Sequence, residues 1–181
     1  AEPWTYQGTL YGYLLAGNSP APSQKNHIQR YIFASHSNAT DINDLTVGRS
    51  APAAGLTSAS YGYLAGGYDP SAQFDRIDRW AFSPESNATD VGNLTVARGG
   101  ATGSSSSTHG YVQKGYSTGY ERIIDKFSVA EETTDATGEG DLSAYGTGGF
   151  GHSSAIHGYT ASGYNGSPSP AGYTTVIEKV T

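Results

Sequence analysis

Two short signatures recur in step along this 181-residue chain, and that periodicity narrows the fold more than any single motif does. Gly-Tyr, three further residues and a second glycine occur at Gly12-Tyr13 to Gly17, Gly62-Tyr63 to Gly67, Gly110-Tyr111 to Gly115 and Gly158-Tyr159 to Gly163, spaced 50, 48 and 48 residues apart. After a loop of variable length each copy is followed by an isoleucine, a polar residue and a base: Ile28-Gln29-Arg30-Tyr31, Ile77-Asp78-Arg79-Trp80, Ile124-Asp125-Lys126-Phe127 and Ile177-Glu178-Lys179-Val180. A third element closes two of the units, Asn38-Ala39-Thr40-Asp41 running to Leu45-Thr46-Val47-Gly48-Arg49 and Asn87-Ala88-Thr89-Asp90 running to Leu94-Thr95-Val96-Ala97-Arg98. It weakens to Asp135-Ala136-Thr137 with Asp141-Leu142-Ser143 in the third unit and has no counterpart in the fourth. Motifs that keep phase over four copies mark one supersecondary unit repeated along the chain.

Each unit reads as four short antiparallel strands: the residues before Gly-Tyr, the Gly-Tyr segment, the isoleucine segment and the Leu-Thr segment. All are short, β-branched or aromatic, and bounded by Gly, Pro, Asn, Asp or Ser. In the third strand, alternation places Asp78, Trp80 and Phe82 on one face and Ile77, Arg79 and Ala81 on the other. With apolar groups on both faces, a unit of about 48 residues must be covered by its neighbours. The whole of 1–181 therefore reads as one repeat domain, with units at about 3–50, 51–100, 101–148 and 149–181. The expected architecture is all-β, a small β-propeller of about four blades, each a four-stranded meander, with the second glycine of each motif serving a crowded backbone near the axis.

Composition agrees and excludes several functions. Only 14% of residues are charged while 25 are glycine and 14 tyrosine, a bias against helices. Ten Lys and Arg in a net charge of −6 supply no basic stripe, so nucleic acid is not an expected partner. No apolar run is long enough for a membrane-spanning helix. Without cysteine there is no disulfide, thiolate nucleophile or cysteine zinc site. The chain holds no methionine, so Ala1 reads as a processed or leader-cleaved end or the edge of a longer chain.

Gly151-His152-Ser153-Ser154 leading to Gly158-Tyr159, and Gly62-Tyr63-Leu64-Ala65-Gly66-Gly67-Tyr68, resemble kelch-like β-propeller repeats. The fuller unit, with Ile-Asp-Lys-Phe-Ser and Asn-Ala-Thr-Asp-Val-Gly-Asn-Leu-Thr-Val-Ala-Arg, is similar to the kelch-like repeats of structural proteins of aquatic bacteriophages, cyanophages especially. That resemblance spans nearly the whole chain and implies a non-enzymatic component of a virion or appendage. The sequence departs from it in two ways. Ala16-Gly17, Lys114-Gly115 and Ser162-Gly163 replace the paired glycines of the second unit, and the fourth-strand tryptophan of eukaryotic kelch units is missing.

Closure of the last blade is the open question. Only four residues follow Ile177 and eleven precede Gly12, which is too few for a complete fourth blade. Trp4-Thr5-Tyr6-Gln7 is β-prone and is either the first strand of the first unit or the strand that completes the last one. In the former case a sheet edge stays open and invites strand addition from another copy.

The residues that carry chemistry read mostly as structure. His27, His36, His109, His152 and His157 are the imidazoles, but His109 and His157 fill the slot of Tyr11 and Tyr61, which asks for a flat polar ring. No metal site and no cofactor is expected. The serines at 104–107 lack a nucleophile elbow, so no catalytic triad is read from them. Asp41, Asn43, Asp44, Asp90 and Asn93 do not match a calcium loop and read as turn residues. The carboxylates of Asp78, Asp125 and Glu178 need partners where buried, and Arg49 and Arg98 are placed to bridge between blades.

Tyr13, Tyr63, Tyr111 and Tyr159 follow the motif glycine and are expected in the inter-blade core. Tyr68, Tyr116 and Tyr164, one residue past the second glycine, are expected at loop mouths as candidate ligand-binding residues. Asn38, Asn87, Asn93 and Asn165 head glycosylation sequons. The expected function is that of a structural protein of a phage virion or extracellular appendage, a homo-oligomer or a partner of other such proteins. The alternative is a carbohydrate-binding module that recognises a surface glycan through the loop tyrosines.

Overall fold

The computed structural model describes residues 10–17, 25–50, 54–130, 135–154, 156–161, 163–165, 172–173 and 175–180. These form antiparallel sheets and no helix. The first sheet holds β1 (Tyr11–Leu15), β2 (His27–Ile32) and β3 (Thr40–Asp44). The second holds β4 (Ala54–Thr57), β5 (Tyr61–Ala65), β6 (Arg76–Ala81) and β7 (Thr89–Asn93). In the third, β8 (Thr102–Ser105), β9 (His109–Tyr116), β10 (Tyr120–Ser128) and β11 (Thr137–Gly146) follow the same order. The fourth unit has β12 (Phe150–Ser153), β13 (Gly158–Ala161), a two-residue ribbon of β14 (Tyr164–Asn165) and β15 (Gly172–Tyr173), and β16 (Ile177–Val180). The first three sheets are meanders in which chain neighbours pair, and in the fourth β13 pairs with β16 past the β14–β15 ribbon, so the repeat of the sequence is a repeat of sheets.

The motif glycines sit where the pairing requires them. Gly12, Gly62 and Gly110 lie opposite Tyr31, Trp80 and Phe127 on the next strand, and the ring of each aromatic covers the space a β-carbon would occupy. The second glycine answers a conformational need and, in the third and fourth units, the crowding expected of it as well, since a β-carbon on Gly115 would lie 3.0 Å from the Gly99 carbonyl oxygen and one on Gly163 2.8 Å from that of Gly148. Gly17, Gly67, Gly115 and Gly163 have φ of 119°, 102°, 124° and 127°, a conformation side chains rarely adopt, and a β-carbon on Gly17 would meet nothing. Crowding against backbone is tightest on the first strands, where a β-carbon on Gly103 would strike the carbonyl of Gly55, and one on Gly151 that of Gly103.

The fourth strand is displaced from its expected place in the first and second units, whereas in the third Asp141-Leu142-Ser143 lies within it. It is formed by Thr40–Asp44, Thr89–Asn93 and Thr137–Gly146, and the Leu45-Thr46 and Leu94-Thr95 segments lie just beyond it. Leu45, Leu94 and Leu142 are buried, and the amides of Thr46, Thr95 and Ser143 are committed to a carboxylate of the next sheet. A backbone group engaged in that way cannot also serve a strand ladder.

Alternation distributes the core over the faces as the third-strand pattern requires. Trp80 joins Ile28, Leu45 and Leu64, with Tyr13 and Phe82, between the first and second sheets. Ile77 and Tyr63 join Val112, Phe127 and Val129 between the second and third. The third joint is polar: Thr102 Oγ1 lies 3.1 Å from Thr160 Oγ1, and Gln113 Nε2 donates to Ser104 Oγ at 2.9 Å.

The first strands of units two to four are stitched by hydroxyls, Thr57 N donating to Ser105 Oγ at 3.1 Å and Ser105 N to Ser153 Oγ at 2.8 Å. Together with Tyr31 and Phe33 of the first unit they surround a cavity of about 520 Å³. No strand pairing joins the first sheet to the fourth among the described residues, so ring closure is not seen. The Trp4–Gln7 segment lies outside the described residues.

Gly62→Ala is expected to lower stability by about 1 to 3 kcal/mol, because its methyl group must displace the Trp80 ring. Gly55→Ala, which meets nothing within 4 Å, is the neutral control. Urea unfolding of the two variants checks this.

Candidate binding surface

The geometry of the surface is set by the joints beneath it. At the first joint Asp78 accepts from Thr46 N at 3.1 Å, Thr46 Oγ1 at 2.6 Å and Arg49 Nη2 at 2.6 Å. Arg49 Nη1 also donates to the carbonyl of Gly66 at 2.7 Å. The second joint repeats the arrangement: Asp125 accepts from Thr95 N at 3.0 Å, Thr95 Oγ1 at 2.6 Å and Arg98 Nη1 at 2.8 Å. Arg98 further donates to the carbonyls of Lys114 and Val112. Arg49, Asp78, Arg98 and Asp125 have no exposed surface. Burial pushes the Asp78 carboxyl up and the Arg49 guanidinium down, each opposed by the charge of the other. Buried between sheets, with the carboxylates and most of the guanidinium donors engaged by each other or by backbone carbonyls, these groups hold sheets together.

The third joint keeps the carboxylate and moves the cation. Glu178 accepts from Ser143 N, the position of Thr46 and Thr95, but Gly146 stands where Arg49 and Arg98 stand. Lys114 is fully buried there, and its Cδ lies 3.7 Å from where a Gly146 side chain would begin. Burial lowers the Lys114 ammonium pKa and Glu178 opposes the shift. Lys114 reaches this place from a backbone of φ 59°, the left-handed slot that Gly66 fills in the second unit. In the first unit the carboxylate position is Gln29.

Beyond each joint the chain turns outward through a tyrosine. Tyr68 exchanges backbone hydrogen bonds with Ser50 at 2.8 and 3.2 Å, Tyr116 with Gly99 at 2.7 and 3.0 Å, and Tyr164 with Thr147 at 2.9 Å in both directions. The backbones are thereby tied to the preceding unit while the side chains stay at 40%, 41% and 39% exposure. Tyr120 extends this row, with ring centroids 5.3 Å from Tyr116 and 5.8 Å from Tyr164, and Tyr173 lies 5.7 Å from Tyr164.

Between the Tyr68 and Tyr116 loops lies a groove of about 790 Å³, lined also by Asp69–Gln73, Ser117, Thr118, Gly99, Gly100, Thr147 and Gly148. Asp69 Oδ1 accepts from Ser71 N, Ser71 Oγ and Ala72 N at 2.7, 2.7 and 2.8 Å, which holds its carboxyl below the usual range. Gln73 Nε2 bridges to the carbonyl of Ser117 at 2.8 Å, fixing one wall to the other.

The other sequence candidates take structural places. Tyr63 and Tyr111 are buried, whereas Tyr13 and Tyr159 are half-buried in the outer units. Tyr11 and Tyr61 lie under Arg30 and Arg79 at 4.4 and 4.6 Å, and His109 occupies the same slot beside Tyr111 at 6.4 Å. Burial and then Lys126 lower the His109 pKa. Asp41, Asn43, Asp44, Asp90 and Asn93 are strand residues rather than turn residues, with Asp41 paired with His27 and Asp90 with Arg76 at 3.0 Å.

Asn38, Asn87 and Asn93 are exposed and Asn165 is half-buried. Asn87 Oδ1 accepts from Asp44 N at 3.1 Å, and Asp135 Oδ1, in the corresponding place, from Asn93 N at 2.9 Å. This position therefore has a joint-forming role apart from any sequon. Sequence reasoning missed Lys114, Tyr120, Tyr173 and the Asp69–Gln73 wall. Only Lys114 carried a signal, as a lysine in a slot that holds alanine, glycine and serine in the other units.

No protein-family model and no curated protein matches the chain.

Asp78→Asn is expected to cost about 3 to 5 kcal/mol by leaving the Arg49 guanidinium buried without its counter-charge, and the double variant Arg49→Met, Asp78→Leu less than that, both read by denaturant unfolding. His109 gives a pH effect. Its folded pKa is below the ordinary 6.5, so the unfolded chain takes up the proton first, and stability present above that pH declines as pH falls through it. The melting temperature of His109→Tyr, the residue type of units one and two, should fall less between pH 7 and pH 5.5 than that of the parent.

Proposed function

We propose that the chain is a non-enzymatic structural protein of a phage virion or extracellular appendage, built of four kelch-like propeller blades and associating with itself through the two blades at its ends. The observation that carries this reading is that the end blades expose the same faces that the inner joints bury. The first sheet turns toward solvent the face that corresponds to Leu64, Asp78, Trp80 and Phe82, presenting Leu14 at 54% exposure with Gln29, Tyr31 and Phe33. The fourth sheet exposes the face that corresponds to Tyr63, Ala65 and Ile77, presenting Ile177 at 75%. Head and tail of two copies thus carry the two halves of one joint, a heterologous contact that propagates.

The radial arrangement is supported by the first strands of units two to four, which meet around one cavity shared with the first unit. The free edge of β1, which pairs only with β2 among the described residues, offers a second point for strand addition. Gln29 in the carboxylate position suits a joint whose partner brings no arginine, so the end faces meet without burying a charge. The virion or extracellular setting rests on the resemblance to phage kelch-like repeats.

Light scattering across a concentration series is expected to show mass growing beyond one chain, and Leu14→Glu with Ile177→Glu to return it to a monomer without lowering the melting temperature, since both side chains are exposed. A monodisperse monomer at the highest concentration would overturn the reading.

A further inference from the structure

The molecule presents a second surface that assembly through the end blades leaves uncovered: the groove between the Tyr68 and Tyr116 loops. The geometry points to a binding site for a neutral oligosaccharide, its sugar rings laid against Tyr68 and Tyr116 and its hydroxyls met by Asp69, Ser117 and Thr147.

Several independent features converge on this class of ligand. The volume of about 790 Å³ lies within the roughly 300–1,000 Å³ of small-ligand sites. The two tyrosines occupy one slot of successive repeats and have nearly equal exposure, 40% and 41%, with backbones held by paired hydrogen bonds to the preceding unit. A ring held half-exposed on a tied backbone loses little entropy on binding and offers an apolar face with a hydroxyl at its rim, as the face and edge of a pyranose require. The bond from Gln73 to the Ser117 carbonyl fixes the spacing of the walls before any ligand arrives.

The lining also excludes the competing classes. No lysine, arginine or histidine borders the groove among the described residues, so phosphate, sulfate and carboxylated sugars find no counter-charge, and the Asp69 carboxylate repels them. Asp69 is the only carboxylate in the lining among the described residues, whereas glycoside hydrolysis uses a pair flanking the bond, so the site binds and does not cleave. Tyr164, tied at Thr147 in the same manner and linked to Tyr116 through Tyr120, continues the aromatic row toward the fourth unit and leaves room for more than one sugar.

The test uses the full chain carrying Leu14→Glu and Ile177→Glu, so that loss of assembly and loss of binding are read separately. Maltohexaose, cellohexaose, laminarihexaose and chitohexaose are titrated by calorimetry and by amide chemical-shift mapping, with heparin hexasaccharide as the anionic comparison. Saturable binding of at least one neutral hexaose is expected, with shifts at the amides of Gly99, Gly100 and Thr147, and none with heparin. Tyr68→Ala and Tyr116→Ala should each weaken it about tenfold, equal to ~1.4 kcal/mol, while Tyr68→Phe keeps most of it. Absence of binding by all four neutral probes, shifts that map elsewhere, preference for heparin, or full affinity in the Tyr68→Ala, Tyr116→Ala double variant would each overturn the proposal.

Discussion

Each joint between sheets turns on a carboxylate that leaves its own sheet and is received by a backbone amide of the one before, with a hydroxyl added at the first two joints. Asp78 and Asp125 each take an amide, a hydroxyl and a guanidinium from the preceding unit. An ion so deeply buried is tolerated only when its hydrogen-bonding capacity is filled, and filling it fixes the distance and rotation of one sheet on the next. The apolar packing of Tyr63 on Phe127 and of Tyr13 on Trp80 supplies area but is indifferent to small slides; the carboxylate is not.

The third joint shows that what recurs is the physical requirement more than the residue. The arginine is lost at Gly146, the carboxylate lengthens to Glu178, and a lysine enters from another strand to occupy the vacated volume. Hydroxyls and an amide replace the aromatic core of the earlier joints. A change of this kind is coupled, since the stem of Lys114 lies 3.7 Å from where a β-carbon at Gly146 would sit and so fills the space that an arginine there would take. The repeat thus drifts in sequence while it keeps a buried cation near a carboxylate at each step.

That arrangement also produces the outer surface. Because the residue beyond each motif's second glycine pairs its backbone with the preceding unit, its side chain is presented at a set height, and in units two, three and four that residue is tyrosine. A structural repeat therefore generates a repeated aromatic display with no separate scaffold. The outermost sheets, whose outer faces pack on no other sheet among the described residues, supply a second surface on a different part of the repeat.

The sheet repeat, the two-faced third strand and the proximity of Arg49 and Arg98 to Asp78 and Asp125 were legible in the chain because they follow from periods of two and of about 48 residues, which are local or repeated properties. Three-dimensional packing alone decided the rest. The fourth strand fell on Thr40–Asp44 rather than on Leu45-Thr46 because an amide claimed by a distant carboxylate is withdrawn from its ladder. Lys114 became the third buried cation, and Asp69 and Gln73 became a wall opposite Ser117, through contacts between residues far apart in the chain. No pattern within one unit encodes such contacts, since they depend on how one sheet is turned against the next.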